Sequence, residues 1–194
     1  MTSDDPDPTE AQLRRLHDRL ADHADAQGIL DVAYRTLDSP VGTLLLAATR
    51  TGLVRVAYET EGHDKVLAFL AARVSPRILN APKRLDAAAR EIEEYFAGVR
   101  HGFDLPLDFS LSKGFRRLVL DHLTAIAYGH TASYATVAAA AGNPRAVRAA
   151  ATACATNPLP VVVPCHRVVR SDGSVGGYIG GPAAKQILLR LEAA

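Results

Sequence analysis

Along the first hundred residues the apolar positions follow two rhythms. Leu13, Leu16, Leu20 and Ala24 recur at intervals of three and four. That spacing predicts an amphipathic helix over about 10–27, and its charged surroundings mark it as a docking or capping helix rather than a site. Residues 33–58 then read as β-strand: Ala33–Leu37, the apolar run 43–48 and Leu53–Tyr58. Asp38-Ser39-Pro40-Val41-Gly42 and Thr49–Gly52 are the turns between them. Helical spacing returns at about 63–73 and 84–97, and Gly98 is a natural C-cap for the second helix. Residues 1–9, rich in Asp, Pro and Thr, are expected to be disordered. No polar groups converge at a catalytic spacing in residues 1–100, so this half reads as scaffold.

The pattern changes across a linker at 101–112. Ser112 can N-cap a helix carrying Phe115, Leu118, Val119, His122, Leu123 and Ile126, which should stop near Tyr128-Gly129. A shorter helix is predicted from Ser133 to Ala141. Gly142-Asn143-Pro144 breaks it, and Pro144 can open the next helix, about 144–155, at its first turn. Helix, short glycine-containing turn, helix is the helix-turn-helix pattern. Asn157-Pro158-Leu159-Pro160-Val161-Val162-Val163-Pro164 follows, with three valines in a row expected to form a stiff, strand-like rod. Val168-Val169-Arg170 reads as a short strand, 171–174 as a turn and 175–182 as a glycine-rich loop. The final helix, about 182–192, carries Ile187, Leu188 and Leu191 as its core stripe.

Composition narrows the class. A 194-residue chain that is 48% hydrophobic and 22% charged has the balance of a soluble globular protein with one or two small domains. It has no run of about 18 apolar residues, and no basic-then-apolar leader precedes the acidic start (Asp4, Asp5, Asp7, Glu10). A cytoplasmic protein without membrane contact is expected. Two cysteines do not make a disulfide framework, and a reducing compartment suits a free thiol. Residues 101–194 hold nine Lys and Arg against five Asp and Glu, whereas residues 1–100 hold thirteen against sixteen. The basic C-terminal half can therefore face a polyanion.

The candidate chemistry lies at Pro164-Cys165-His166-Arg167. A proline-framed thiol between basic side chains has a setting that favours a thiolate, although a buried cysteine can equally be a small core hydrophobe. The 144–155 helix lacks the Asn, Gln and Lys side chains that read base edges in a major groove. Its alanines permit close approach to a minor groove independent of sequence, with Arg145 and Arg148 the exceptions. Alanine is also simply the best helix former. The glycine-rich loop has neither the context nor the spacing of a nucleotide-binding loop, and its glycines would let backbone wrap a small ligand.

Together, Ser133-Tyr134, Gly142-Asn143-Pro144, Arg148, Asn157-Pro158, Pro164-Cys165-His166-Arg167-Val168, Gly177-Tyr178-Ile179-Gly180-Gly181 and Lys185 resemble the O6-alkylguanine-DNA alkyltransferases. The likeness spans about 112–192. It implies that Cys165 takes an alkyl group from O6 of guanine, with O4 of thymine as a second donor, once per molecule. It implies that His166 is the base, acting through a water, that Glu192 orients His166, and that Asn157 braces the turn. Tyr134 would rotate the phosphate and donate to guanine N3. Arg148 would fill the gap left by the flipped nucleotide, with Arg145 and Ala149 beside it on the DNA. Tyr178, Val168, Ile179 and Gly180 would line the alkyl pocket, the Cys165 and Val168 carbonyls accepting from the exocyclic amine. The partner implied is double-stranded DNA, held through its minor groove by a monomer.

The expected fold is α+β: a small ribonuclease H-like antiparallel sheet with helices, followed by a mainly helical domain with a helix-turn-helix. The divisions are an extension (1–30), a scaffold domain (31–105) and a DNA-binding, alkyl-accepting domain (106–194). Two positions depart from the family pattern, Ala151 for a glycine and Ile179 for a frequent serine. Some relatives hold a zinc through N-terminal Cys and His; no cysteine precedes Cys154 here, so neither metal nor cofactor is expected. The competing readings are a non-catalytic alkyl-DNA-binding relative, a cysteine hydrolase and a helix-turn-helix regulator. The first would lack Cys165, the second needs an oxyanion site, and the third needs base-reading side chains.

Overall fold

The structure, a computed structural model, describes residues 9–193. The disorder expected of residues 1–9 thus lies outside the described residues except at Thr9. Thr9 opens helix α1 (Glu10–Ala26) through a capping box with Gln12. Strands β1 (Val32–Leu37), β2 (Leu44–Ala48) and β3 (Leu53–Tyr58) form an antiparallel meander over the three stretches read as strand. After helix α2 (His63–Arg73), a strand that the sequence does not announce, β4 (Ile78–Asn80), pairs parallel to β1. The sheet is therefore mixed rather than purely antiparallel, in the order β3-β2-β1-β4. Three residues just after Pro76 are too few to display a two-residue period.

The pleat divides the apolar residues between two faces. Val32, Leu45, Ala47, Val54 and Ala57 pack with Val66 and Leu70 of α2. Leu44, Leu46, Val56 and Tyr58 face the larger core shared with helix α3 (Asp86–Phe96) and the C-terminal half. On this second face α1 buries only Ala21 and Ala24, while Leu13, Leu16 and Leu20 stay more than half exposed. The leucine stripe therefore does not dock the helix. Polar ties do so instead: His17 to the Asn80 carbonyl, Lys83 to Asp22 and Arg84 to Asp25.

Helix α4 (Phe115–Leu123) is shorter than its apolar pattern, and its N-cap is Gly114, not Ser112, which is buried with its hydroxyl unpaired. Helix α5 (Tyr134–Ala140) is capped by Ser133, whose hydroxyl accepts from the Thr136 N–H. It packs on α6 (Val147–Ala155), which begins three residues beyond Pro144. The short strands β5 (Ala132–Ser133) and β6 (Val168–Val169) pair parallel, and α7 (Gly181–Glu192) closes the fold. The linker at 101–112 is stitched to β3, since Leu53 N donates to Pro106 O and Asp108 N to Leu53 O. Further along the same strand, Val56 N donates to Pro158 O. The edge of β3 is thereby covered, and the segment leading to Cys165 is fixed to the N-terminal sheet.

The valine run is the plainest departure from expectation. Val161–Val163 is a buried turn rather than a strand: Val161 takes φ 72°, and Val163 N donates back to Leu159 O at 2.8 Å. Pro158, Pro160 and Pro164 have no N–H, so a regular ladder cannot form here.

Candidate functional site

The turn places Cys165 at the start of a single 3-10 turn, Cys165–Arg167. Asn157 holds it together from inside. Its Nδ2 donates to Val163 O at 2.8 Å and to Cys165 Sγ at 3.1 Å, and its Oδ1 accepts from Leu159 N at 2.9 Å. One buried amide thus binds both arms of the turn and the sulfur. Cys165 is 1% exposed. Burial pushes its thiol up to about 11, against smaller downward pulls from Asn157 and the Lys185 ammonium.

The thiolate expected from the flanking basic residues is therefore not the resting state. Those residues point elsewhere. His166 Nε2 meets Glu192 Oε1 at 2.8 Å, and Arg167 grips the same carboxylate through Nε and Nη2, both at 2.9 Å. Tyr95 donates its hydroxyl to Glu192 Oε1 at 2.7 Å, and Gly129 N reaches Oε2 at 3.3 Å. Burial works against the charged carboxylate, but the hydrogen bonds from His166 and Arg167 outweigh it and hold Glu192 at about 2. Burial also lowers His166 below 6.5, so its ring is neutral at neutral pH. With Nε2 committed to Glu192, Nδ1 has no protein partner.

Lys185, wholly buried, donates to Val168 O and lies 6.0 Å from the Tyr134 ring centre. One lone pair of the Val168 carbonyl is thereby taken. Tyr134 is half-buried; burial raises its hydroxyl, which donates to Gly177 O at 3.5 Å. It is a neutral donor at neutral pH. Tyr178 shares a hydrogen bond with Tyr58, oxygen to oxygen 2.8 Å, and stands edge-on to His166. Arg148 and Ala149 are exposed on α6, on one face with Thr152, Ala155 and Thr156. Arg145 is exposed in the preceding turn. Cys154 is buried on α6, its thiol raised by burial to about 12, and acts as packing.

The structure brings together Cys165, His166, Asn157 and Glu192, with Tyr134 and Tyr178 around them. Arg145, Arg148 and Ala149 stand apart on the surface, while Ile179 lines a surface cleft beside Pro158. Three participants escape sequence reasoning. Arg167 is seen only as a basic neighbour of the thiol, whereas Tyr58 and Tyr95 come from the half read as scaffold. A tyrosine at a strand end and another on a helix face carry no local signal of their role.

Gly180 packs on the Tyr58 ring, and a Cβ there would come within 2.6 Å of it. Gly180→Ala must therefore displace the loop carrying Tyr178. The expected result is a reduced rate of transfer to Cys165 with little change in melting temperature, read by single-turnover kinetics and calorimetry.

A neutral histidine locked by a buried carboxylate, next to a thiol braced by an amide, has the parts of a cysteine-centred reaction site. Matches to known proteins give the family. The models "6-O-methylguanine DNA methyltransferase, ribonuclease-like domain" and "6-O-methylguanine DNA methyltransferase, DNA binding domain" match residues 32–109 and 114–194. The methylated-DNA–protein-cysteine methyltransferase of Methanosarcina barkeri is 37% identical over 159 residues, covering 82% of this chain and 96% of its own. The constitutive enzyme of that name from Bacillus subtilis is 35% identical, covering 82% and 94%. The Mycobacterium tuberculosis O6-methylguanine methyltransferase crystal structure superposes with a TM-score of 0.74 at 34% identity, covering 84% of this chain and 93% of the other. A structure of the M. tuberculosis protein in complex with DNA gives 0.71 at 34% identity, covering 83% and 92%. The chain belongs to the O6-methylguanine-DNA methyltransferase family.

Proposed function

We propose that this protein repairs DNA by taking the methyl group of O6-methylguanine onto Cys165, once per molecule. The observation that carries this reading is the turn itself, where Asn157 holds the sulfur and the adjacent imidazole is fixed by Glu192. A methyl group on oxygen offers no carbonyl to polarise, so a soft nucleophile must displace it directly. The sulfur–carbon bond forms as the carbon–oxygen bond breaks. The thiol proton passes through a water to His166 Nδ1, and guanine leaves as an anion to which Tyr134 donates at N3. The thioether product is not reduced by thiol exchange, and no residue near Cys165 offers a route back.

The target atom lies inside the duplex, so the nucleotide must be extruded at a cost of a few kcal/mol. α5 and α6 act as a helix-turn-helix whose second helix enters the minor groove, where its small exposed residues allow close approach. Arg148 fills the space left in the stack. Because Cys165 is buried, the loop around Tyr178 opens to admit the base. The acting unit in this reading is a monomer. Two free cysteines suit the reducing cytoplasm, our proposed location. Among the described residues no helix is long and apolar enough to cross a membrane.

The pH dependence tests the roles of His166 and Cys165. A base whose pKa is lowered from 6.5 stays neutral through the physiological range and gains its proton only in acid. Transfer from the free nucleobase is therefore expected to be flat from about pH 7 to about pH 9 and to fall below pH 6.5 as His166 protonates. A tenfold rise per pH unit across the neutral range would instead mean that pre-ionised thiolate is the reactant without His166, against the assignment.

A further inference from the structure

A cleft runs between α2 of the N-terminal half and the exposed face of α6. It comprises two adjoining hollows of about 870 and 340 Å³ that share Phe69, Leu111 and Arg116. The larger reaches Ala149, next to Arg148, and the smaller reaches Thr156 and Ile179, next to Tyr178. The cleft therefore follows α6 from the finger arginine to the active-site loop.

Its charge is one-sided. Lys65, Arg73, Lys113 and Arg116 line it, all exposed, and none forms an ion pair among the described residues. The one acid on its walls, Glu61, is spent on Arg55. Between the cations Phe69 presents a ring that is 46% exposed, an apolar shelf of the kind that deoxyribose or an unstacked base covers. Four unpaired cations around an aromatic shelf, alongside a helix that fits a minor groove, match a polyphosphate strand and not an apolar partner.

We propose that this cleft holds the phosphodiester backbone of the DNA strand on the α2 side of α6, so that the N-terminal half is part of the DNA-binding surface. The inference rests on the reading of α6 as the minor-groove helix. With α6 in the groove, one bordering backbone passes over α2, where Arg73, Lys113 and Arg116 neutralise it. The strand is gripped on both sides of the flipped nucleotide, by the cleft and by Arg148. The cleft touches phosphate and, at Phe69, the apolar face of the strand, but no base edge, so it adds affinity without sequence preference.

The test is the salt dependence of duplex binding by Arg73→Gln/Lys113→Gln/Arg116→Gln, measured by fluorescence anisotropy. The control is Arg14→Gln/Arg15→Gln/Arg19→Gln on α1, which packs on the opposite face of the sheet from α2 and makes the same change in net charge. The cleft variant should bind roughly tenfold or more weakly at physiological salt, and its slope against log salt should fall by about 0.9 for each phosphate that is no longer neutralised. The control should bind as wild type does, and methyl transfer from free O6-methylguanine should be unchanged in both variants. Equal losses in the two variants would reduce the effect to net charge and overturn the cleft. Wild-type binding by the cleft variant, with Arg148→Ala weakened in the same assay, would overturn the cleft alone. No loss in either the cleft variant or Arg148→Ala would overturn the α6 interface with it.

Discussion

Glu192→Gln is expected to lose about 3–5 kcal/mol of stability and to transfer methyl about 10²–10⁴-fold more slowly where it remains folded. The substitution keeps shape and removes charge. It leaves the Arg167 guanidinium, bound twice by this carboxylate, as a buried cation without its anion. It also sets an amide against donors from Tyr95, Arg167 and Gly129, which one carboxylate accepts together in the wild type. The His166 ring loses the partner that orients it, so its free nitrogen no longer points reliably toward the thiol proton that we propose it takes. A fall in melting temperature of about 10 °C, measured by calorimetry, is the corresponding thermal readout.

The acid response follows from the same groups. Glu192 titrates at about 2 in the fold against 4.5 for a free glutamate, so it stabilises the protein above 4.5. That contribution is lost as pH falls from 4.5 toward 2. His166 is lowered from 6.5, so the unfolded chain takes up its proton more readily than the fold does, and stability declines as pH drops below 6.5. Wild type should weaken in two stages on acidification, and Glu192→Gln should lack the second. A variant as stable as wild type, with unchanged acid unfolding, would show that the carboxylate does not hold the site.

Arg148→Ala separates DNA handling from chemistry. Arg148 is exposed on α6, away from the buried cluster around Cys165. Its removal should leave the reaction with free O6-methylguanine unchanged. Repair of the same base in a duplex should slow about a hundredfold if, as proposed, the Arg148 side chain inserts and offsets the few kcal/mol that extrusion costs. Single-turnover rates on the two substrates give the comparison directly. Equal losses on both would place Arg148 in the chemistry or the fold and remove it from the extruded-base complex.

Where the sequence was legible, the reason is local. Periodicity over His63–Arg73 expresses a helix meeting one core, and the apolar run Leu53–Tyr58 between turn signals a strand buried between two, and those elements fold as read. Ser133 before Tyr134 is a local cap and behaves as one. What could not be read depends on distance along the chain. Tyr95 reaches Glu192 across 97 residues, and Tyr58 reaches Tyr178 across 120. The β4 strand exists only because β1 lies beside it. Val161–Val163 has strong strand propensity, yet the surrounding prolines and the hydrogen bonds of Asn157 turn it into a tight bend. The thiol misleads for a related reason: basic neighbours in sequence promise a thiolate, but Glu192, distant in sequence, draws both away from the sulfur. Burial then decides the protonation state of Cys165.

Whether Cys165 is the methyl acceptor is decided by incubating the protein with a duplex carrying one O6-methylguanine, followed by intact-mass and peptide mass analysis. The mass should rise by one methyl group, located on Cys165, saturating at one equivalent of DNA and absent from Cys165→Ala. Methyl found elsewhere in the chain, turnover beyond one equivalent, or repair by Cys165→Ala would refute the assignment.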